Sequence, residues 1–126
     1  MIHGTGVDLI EIDRIRKSLE RYSEKFEERV FTPAEIDYCR SKADPSKHFA
    51  GRFAAKEAIL KSLGTGMANG IAWKDMEIAI RDSGQPELKI SGKGKDIFDS
   101  LNLKNIHISI SHDKGIAIAQ AIAETS

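Results

Sequence analysis

The stretch Phe49-Ala50-Gly51-Arg52-Phe53-Ala54-Ala55-Lys56-Glu57-Ala58-Ile59-Leu60-Lys61-Ser62-Leu63 reads as one helix with charges set against its apolar surface. At about 100° per residue, Phe49, Phe53, Leu60 and Leu63 line one stripe, and Ala50, Ala54 and Ala58 form a narrower shoulder beside it. Glu57 falls between stripe and shoulder, and Lys56 borders the opposite edge of the stripe. A carboxylate buried there without a cation would cost an amount comparable to the whole stability of a small domain. Lys61, one turn on in the favourable Glu-then-Lys order, is the available partner. Two readings stand on this stretch alone: an ordinary surface ion pair, or a carboxylate held for chemistry.

The ends of the helix are legible too. Asp44 offers an N-cap oxygen, Pro45 suits the first turn, and Gly64 suits the left-handed position past the last one, which predicts a helix over 45–63. Gly64-Thr65-Gly66 does not read as a phosphate loop, because the carbonyl end of a helix repels anions. It reads as a cap leading into a flexible loop that ends at Gly70.

Working outward, 126 residues with 40% hydrophobic and 30% charged side chains predict one domain spanning 1–126 around one core. Nineteen basic residues balance 19 acidic ones, so nothing global attracts nucleic acid or an anionic membrane. The single cysteine, Cys39, forms no internal disulfide and reads as a half-buried structural side chain. With no basic-then-apolar leader and no long apolar run, the expectation is a soluble cytoplasmic protein.

Ile2 to Ile12 reads as a strand in which Gly4 and Gly6 mark close approach of another backbone. Asp8, among Val7, Leu9 and Ile10, is either a solvated side chain, the reading favoured on its own, or a ligand for something cationic. Asp13 is expected to cap a helix that buries Ile12, Ile15, Leu19 and Tyr22 and carries Arg14, Lys17 and Arg21 as a cationic ridge on another face. Such a ridge is either plain solvated surface or a dock for an acidic partner. Thr32-Pro33-Ala34-Glu35 has the form of a capping box opening a short helix through Cys39. Residues 76–81 and 86–90 flank Asp82-Ser83-Gly84-Gln85 as a hairpin, 95–101 is a short helix, and 106–112 and 115–123 are two more strands. The predicted class is α+β, with one long central helix packed on a mostly antiparallel sheet.

Nucleophile-elbow serine, paired-cysteine and complete nucleotide-loop patterns are all missing from the sequence. Acid-base hydrolysis by a carboxylate pair stays open. What stands out is Asp8 on a strand and Glu57 on a helix, each in apolar surroundings, with Lys61 beside one of them. Oxygen-only ligands suit Mg²⁺, which usually binds through one or two carboxylates plus substrate phosphates. A nearby lysine can neutralise charge on a departing phosphate. The residues by themselves point to a Mg²⁺-dependent phosphoryl-group enzyme.

Thr5-Gly6-Val7-Asp8 with Ile10-Glu11-Ile12, followed by Arg52-Phe53-Ala54-Ala55-Lys56-Glu57-Ala58 and Lys61, resembles the holo-acyl-carrier-protein synthase group of 4′-phosphopantetheinyl transferases. The resemblance covers nearly the whole chain, and Ser109-Ile110-Ser111-His112 is similar to the penultimate strand of that group. It implies the 4′-phosphopantetheinyl transferase fold and transfer of the phosphopantetheine arm of coenzyme A to a serine of apo-acyl carrier protein, for fatty acid synthesis. It also implies that Asp8 and Glu57 hold Mg²⁺, that Lys61 sits on the diphosphate, and that Arg52 and His112 meet the phosphate and adenine end of the nucleotide. Glu57 would help remove the serine proton, either directly or by way of a water on the ion. Arg14, Lys17 and Arg21 would dock an acidic helix of the carrier.

A homotrimer with sites at subunit boundaries is implied as well. Ile106, Ile108 and Ile110 alternate with His107, Ser109 and Ser111, and the last strand alternates isoleucine with alanine or glutamine. The expectation is that bulky faces pack on the chain's own helices and small faces on a neighbour. Two rivals stay open: a Mg²⁺-dependent phosphodiesterase or nuclease using the same carboxylates, and a non-enzymatic carrier-binding module.

Overall fold

The computed structural model describes residues 1–67 and 69–126, so the loop reading at Ala68 lies outside the described residues. In chain order the elements are β1 (Ile2–Glu11), α1 (Ile12–Val30), α2 (Pro33–Arg40), α3 (Pro45–Leu63), β2 (Met76–Ile80), β3 (Pro86–Ile90), α4 (Gly92–Ser100), β4 (Leu103–Asp113) and β5 (Ile116–Thr125). The class is α+β, as the alternation of periods predicts. The strands form two antiparallel sheets: three strands in the order β1-β5-β4, and the separate hairpin β2-β3.

Helix α3 has the predicted bounds, with Gly64 at φ 80° closing it through bonds to the Leu60 and Lys61 carbonyls. Asp44 precedes it but makes no side-chain cap bond; its carboxylate instead faces Arg16 at 3.8 Å. The larger difference is that α3 has no broad solvent face. Arg52 and Lys56 are buried along with its apolar residues, because the three-stranded sheet, α1, α2 and the hairpin surround the helix. Two apolar faces, one bulky and one small, therefore have different partners.

The small face meets the sheet. A Cβ on Gly4 would collide with the Ser62 carbonyl, and one on Gly6 with the Ala58 carbonyl and, at 2.9 Å, with Lys61 Cβ. Glycine at both positions lets β1 lie on the helix backbone, the close approach expected of them. In β5 the alanines, Ala117, Ala119, Ala121 and Ala123, face inward, while Ile118 is exposed. This reverses the expected packing of that strand, because helix and sheet are too close for isoleucine between them. Strand β4 keeps the expected sense, with Ile106 and Ile108 buried and His107, Ser109 and Ser111 exposed.

Other expectations shift locally. The N-cap of α1 is Glu11 rather than Asp13, which lies in the first turn and pairs with Arg16 at 3.3 Å and Lys17 at 3.0 Å. Tyr22 is exposed rather than buried, because the helix breaks at Ser23 (φ 50°, ψ −130°) and its buried positions resume at Glu27 and Val30. Thr32 and Glu35 form the capping box in both directions, at 3.3 and 2.9 Å. Cys39 is fully buried, and burial pushes its thiol up to about 11, which keeps it protonated and shielded.

Candidate active site

Strand alternation decides the first half of the site. Gly4, Gly6, Asp8 and Ile10 share the face of β1 that lies on α3, whereas Val7 and Leu9 point outward and are 55% and 62% exposed. Asp8 is thus not the solvated side chain that its apolar neighbours suggest. Lys61 Nζ donates to the Val7 carbonyl at 2.9 Å and to Asp8 Oδ1 at 3.2 Å. Glu57, one turn earlier on α3, is half-buried. Burial, then the charge of Asp8, raises its carboxyl above the usual value, against the pull of Lys61.

Two carboxylates that repel each other beside one ammonium form a place for a cation. The Lys61 ammonium already lies against Asp8, so that oxygen is open to positive charge. Among the described residues no group of three or more histidine, cysteine or acidic side chains is placed to hold a metal. The donor set fits Mg²⁺, for which two carboxylates are completed by water and substrate oxygen, and does not fit a closed structural zinc site. Because a proton and a cation compete for Glu57, Mg²⁺ binding is expected to strengthen as pH rises through the raised Glu57 value. Titration calorimetry giving the same affinity at about pH 5 and about pH 8 would count against Glu57 as a ligand.

The second half of the site lies on another side of α3. Arg52 and Glu57 are five residues apart, hence about 140° around the helix and about 7.5 Å along it. Arg52 is 3% exposed, and its Nε has no hydrogen-bond partner among the described residues. Its guanidinium lies 4.3 Å from the Tyr38 ring centroid. A buried donor without an acceptor is costly, which marks a place that an anion would satisfy. Arg52 lines a cavity of about 130 Å³ with Tyr38, His48 and His112 and with Ile80, Gly84 and Pro86 of the hairpin. That volume suits one end of a cofactor-sized molecule, since such molecules usually occupy roughly 300 Å³ or more.

His112 is half-buried against α3. Its Nε2–H donates to the Lys47 carbonyl at 3.1 Å, and its ring sits over Gly51, where a Cβ would come 2.9 Å from Nε2. Burial is the first cause that lowers both His48 and His112, which favours the neutral form of each ring. Arg52 and His112 therefore meet in one cavity, and Asp8, Glu57 and Lys61 meet elsewhere on the same helix. The three ridge residues, Arg14, Lys17 and Arg21, are all exposed on α1, with Lys17 paired to Asp13.

Sequence reasoning did not anticipate Tyr38, His48 and the hairpin tip as cavity walls. His48 stands one turn before Arg52, a spacing that the sequence displays, but nothing local connects either to Gly84 or Pro86. Nor did it anticipate that the deeply buried charge on α3 is Lys56, fully buried with its ammonium 2.7 Å from Glu35.

In sequence and fold, known proteins are similar to this chain over nearly its whole length. A family model for the 4′-phosphopantetheinyl transferase superfamily matches residues 4–121. A holo-[acyl-carrier-protein] synthase from Geobacter sp. (strain M21) is 47% identical, covering 98% of this chain and 99% of its own. The crystal structure of holo-[acyl-carrier-protein] synthase from Neisseria meningitidis superposes with a TM-score of 0.92 at 27% identity, covering 99% of this chain and 100% of that one. The Helicobacter pylori holo-[acyl-carrier-protein] synthase, solved in complex with coenzyme A, superposes with a TM-score of 0.84 at 36% identity, covering 95% and 99%. The chain belongs to the 4′-phosphopantetheinyl transferase superfamily, in its holo-[acyl-carrier-protein] synthase group.

Proposed function

We propose that this chain transfers the 4′-phosphopantetheine group of coenzyme A to a serine of apo-acyl carrier protein, in the cytoplasm, with Mg²⁺, as a step serving fatty acid biosynthesis. One observation carries the reading: Asp8, Glu57 and Lys61 converge where β1 crosses α3, two carboxylates and an ammonium suited to an ion and a diphosphate. The names of the relatives and the coenzyme A bound to the Helicobacter pylori neighbour support the choice of substrates.

In the reaction the serine oxygen attacks the phosphorus that carries pantetheine. The bond from that phosphorus to the bridging oxygen breaks, and adenosine 3′,5′-bisphosphate leaves with the electron pair. Asp8 and Glu57 would hold Mg²⁺, which supplies charge neutralisation at the diphosphate when bound. Lys61 offsets the negative charge that grows on the leaving group. Glu57 would help remove the serine proton, either directly or by way of a water molecule. Arg52 supplies its unpartnered donor to a phosphate of the nucleotide end, and His112 lines the cavity for that end. Incubation with coenzyme A, Mg²⁺ and apo-carrier, followed by mass spectrometry of the carrier, tests the whole reading. A carrier that binds but gains no mass would favour the binding module, and hydrolysis of a phosphodiester without transfer would favour the hydrolase.

The Arg14, Lys17 and Arg21 ridge would receive an acidic helix of the carrier. Exposed charges mainly accelerate encounter, so Arg14→Glu is expected to slow carrier association several-fold at low salt and to flatten its salt dependence, with coenzyme A binding unchanged. Unchanged stopped-flow association would refute that role.

The two half-sites favour an assembly in which each substrate molecule bridges two chains, the homotrimer implied by the family. Within one chain the cavity at Arg52 and the carboxylates at Glu57 face different sides of α3. The outer face of the three-stranded sheet, with Val7, Leu9 and Ile118 exposed, is apolar enough to be covered by a neighbour. Glu57→Ala and a disabling His112 variant, unfolded together and refolded as a mixture, are expected to recover activity that neither parent shows. A monomeric mass at micromolar concentration would sink the assembly.

A further inference from the structure

The buried pair of Lys56 and Glu35 takes no part in the reaction as drawn, yet it is the most connected polar group in the core. Lys56 Nζ donates to Glu35 Oε1 at 2.7 Å, to the Val30 carbonyl at 2.6 Å and to the Trp73 carbonyl at 3.3 Å. Glu35 also accepts from Thr32 N–H at 2.9 Å and, through Oε2, from Ile78 N–H at 3.0 Å. The pair thus ties α3 to the end of α1, to α2, and to both the approach and the outer edge of β2. A second bond, from Thr32 Oγ1 to Glu77 at 2.6 Å, joins α2 to the same strand.

Stability alone does not account for such a pair, since well-packed apolar side chains of similar volume are often at least as stable in its place. Hydrogen bonds differ from apolar contacts in fixing direction and register. Here the direction matters two residues further on. Ile78 leads to Ile80, and Ile80, Gly84 and Pro86 line the cavity together with Arg52 and Tyr38. Among the described residues the hairpin has no ladder bond to the three-stranded sheet, and only side-chain packing of β3 on β4 joins it there, so strand pairing does not set its distance from α3.

We propose that the Glu35–Lys56 pair is a positioning device that seats the β2-β3 hairpin against α3 and thereby sets the gap into which the nucleotide end of coenzyme A fits. This rests on the reading of that cavity as the nucleotide site. The pair acts on binding of coenzyme A and not on the carboxylates at Asp8 and Glu57, which lie on another side of the helix.

The test is the neutral double variant Glu35→Leu/Lys56→Met, which removes both charges together with the bonds to the Ile78 N–H and the Trp73 carbonyl. The expected result is a folded protein whose KM for coenzyme A and calorimetric Kd for adenosine 3′,5′-bisphosphate both rise about tenfold, with kcat and the KM for the carrier within about twofold. A purely structural pair would leave both nucleotide constants unchanged in the folded variant, and that result overturns the proposal. Should the double variant fail to fold, Glu35→Gln alone leaves one oxygen for the three donors that Glu35 satisfies, from Thr32, Lys56 and Ile78, and a rise of about threefold in the same two constants is expected. No rise there overturns it equally. Tyr38→Ala, which removes a cavity wall directly, separates the two levels of the argument. If it leaves bisphosphate binding intact, the nucleotide site is misplaced and both readings fall; if it weakens binding while the double variant does not, only the positioning role falls.

Discussion

Glu57→Ala and Asp8→Ala are expected to lower carrier modification by about a thousandfold or more, with melting temperatures near that of the parent protein. Neither side chain supports the core: Glu57 is half-buried, and Asp8 touches α3 through Lys61 alone among the hydrogen bonds of the described residues. Removing one of two repelling carboxylates relieves a raised carboxyl and costs the fold little. Glu57→Gln is expected to be nearly as damaging, because the amide keeps the shape and loses the charge that a divalent ion requires. Chelation with EDTA should reproduce the loss in the parent protein and add nothing in the variants. Near-parental turnover by Glu57→Ala, read as mass gain of the carrier, would remove Glu57 from the site.

Gly6→Ala is expected to destabilise the protein by about 3 kcal/mol or more and to remove activity in whatever fraction stays folded. The added methyl would meet the Ala58 carbonyl and lie 2.9 Å from Lys61 Cβ, and backbone cannot rotate aside as a flexible side chain would. Strand and helix must separate, which moves Asp8 away from Lys61 and Glu57, so stability and chemistry fail together. Gly64→Ala is the informative contrast. It has open space around it and only its left-handed φ of 80° to strain, so its cost is about 1 kcal/mol, with the strand–helix contact left as it is. Denaturant melts of the two variants, with activity measured on the folded fraction, check both halves; equal costs would show that the strand–helix approach is not tight.

The features that local chemistry specifies were legible in the chain. Gly64 closes α3 because the position past its last turn needs a left-handed backbone, Thr32 and Glu35 form their reciprocal cap across three residues, and Gly84 sits in the turn between β2 and β3. The close approach at Gly4 and Gly6 followed from missing side chains in a strand, and Asp8, Glu57 and Lys61 stood out as charge among apolar neighbours. Side-chain period tells which residues share a face and leaves open which face another element covers. For that reason only the tertiary structure decided that Asp8 faces the helix while Val7 and Leu9 face out, and that the alanines of β5 lie inward. It also decided that Lys56 finds Glu35, 21 residues away in sequence, and that the hairpin tip completes a cavity with Arg52. A long-range pair or a cavity between elements has no local energetic signature; it exists only once packing has brought the elements together.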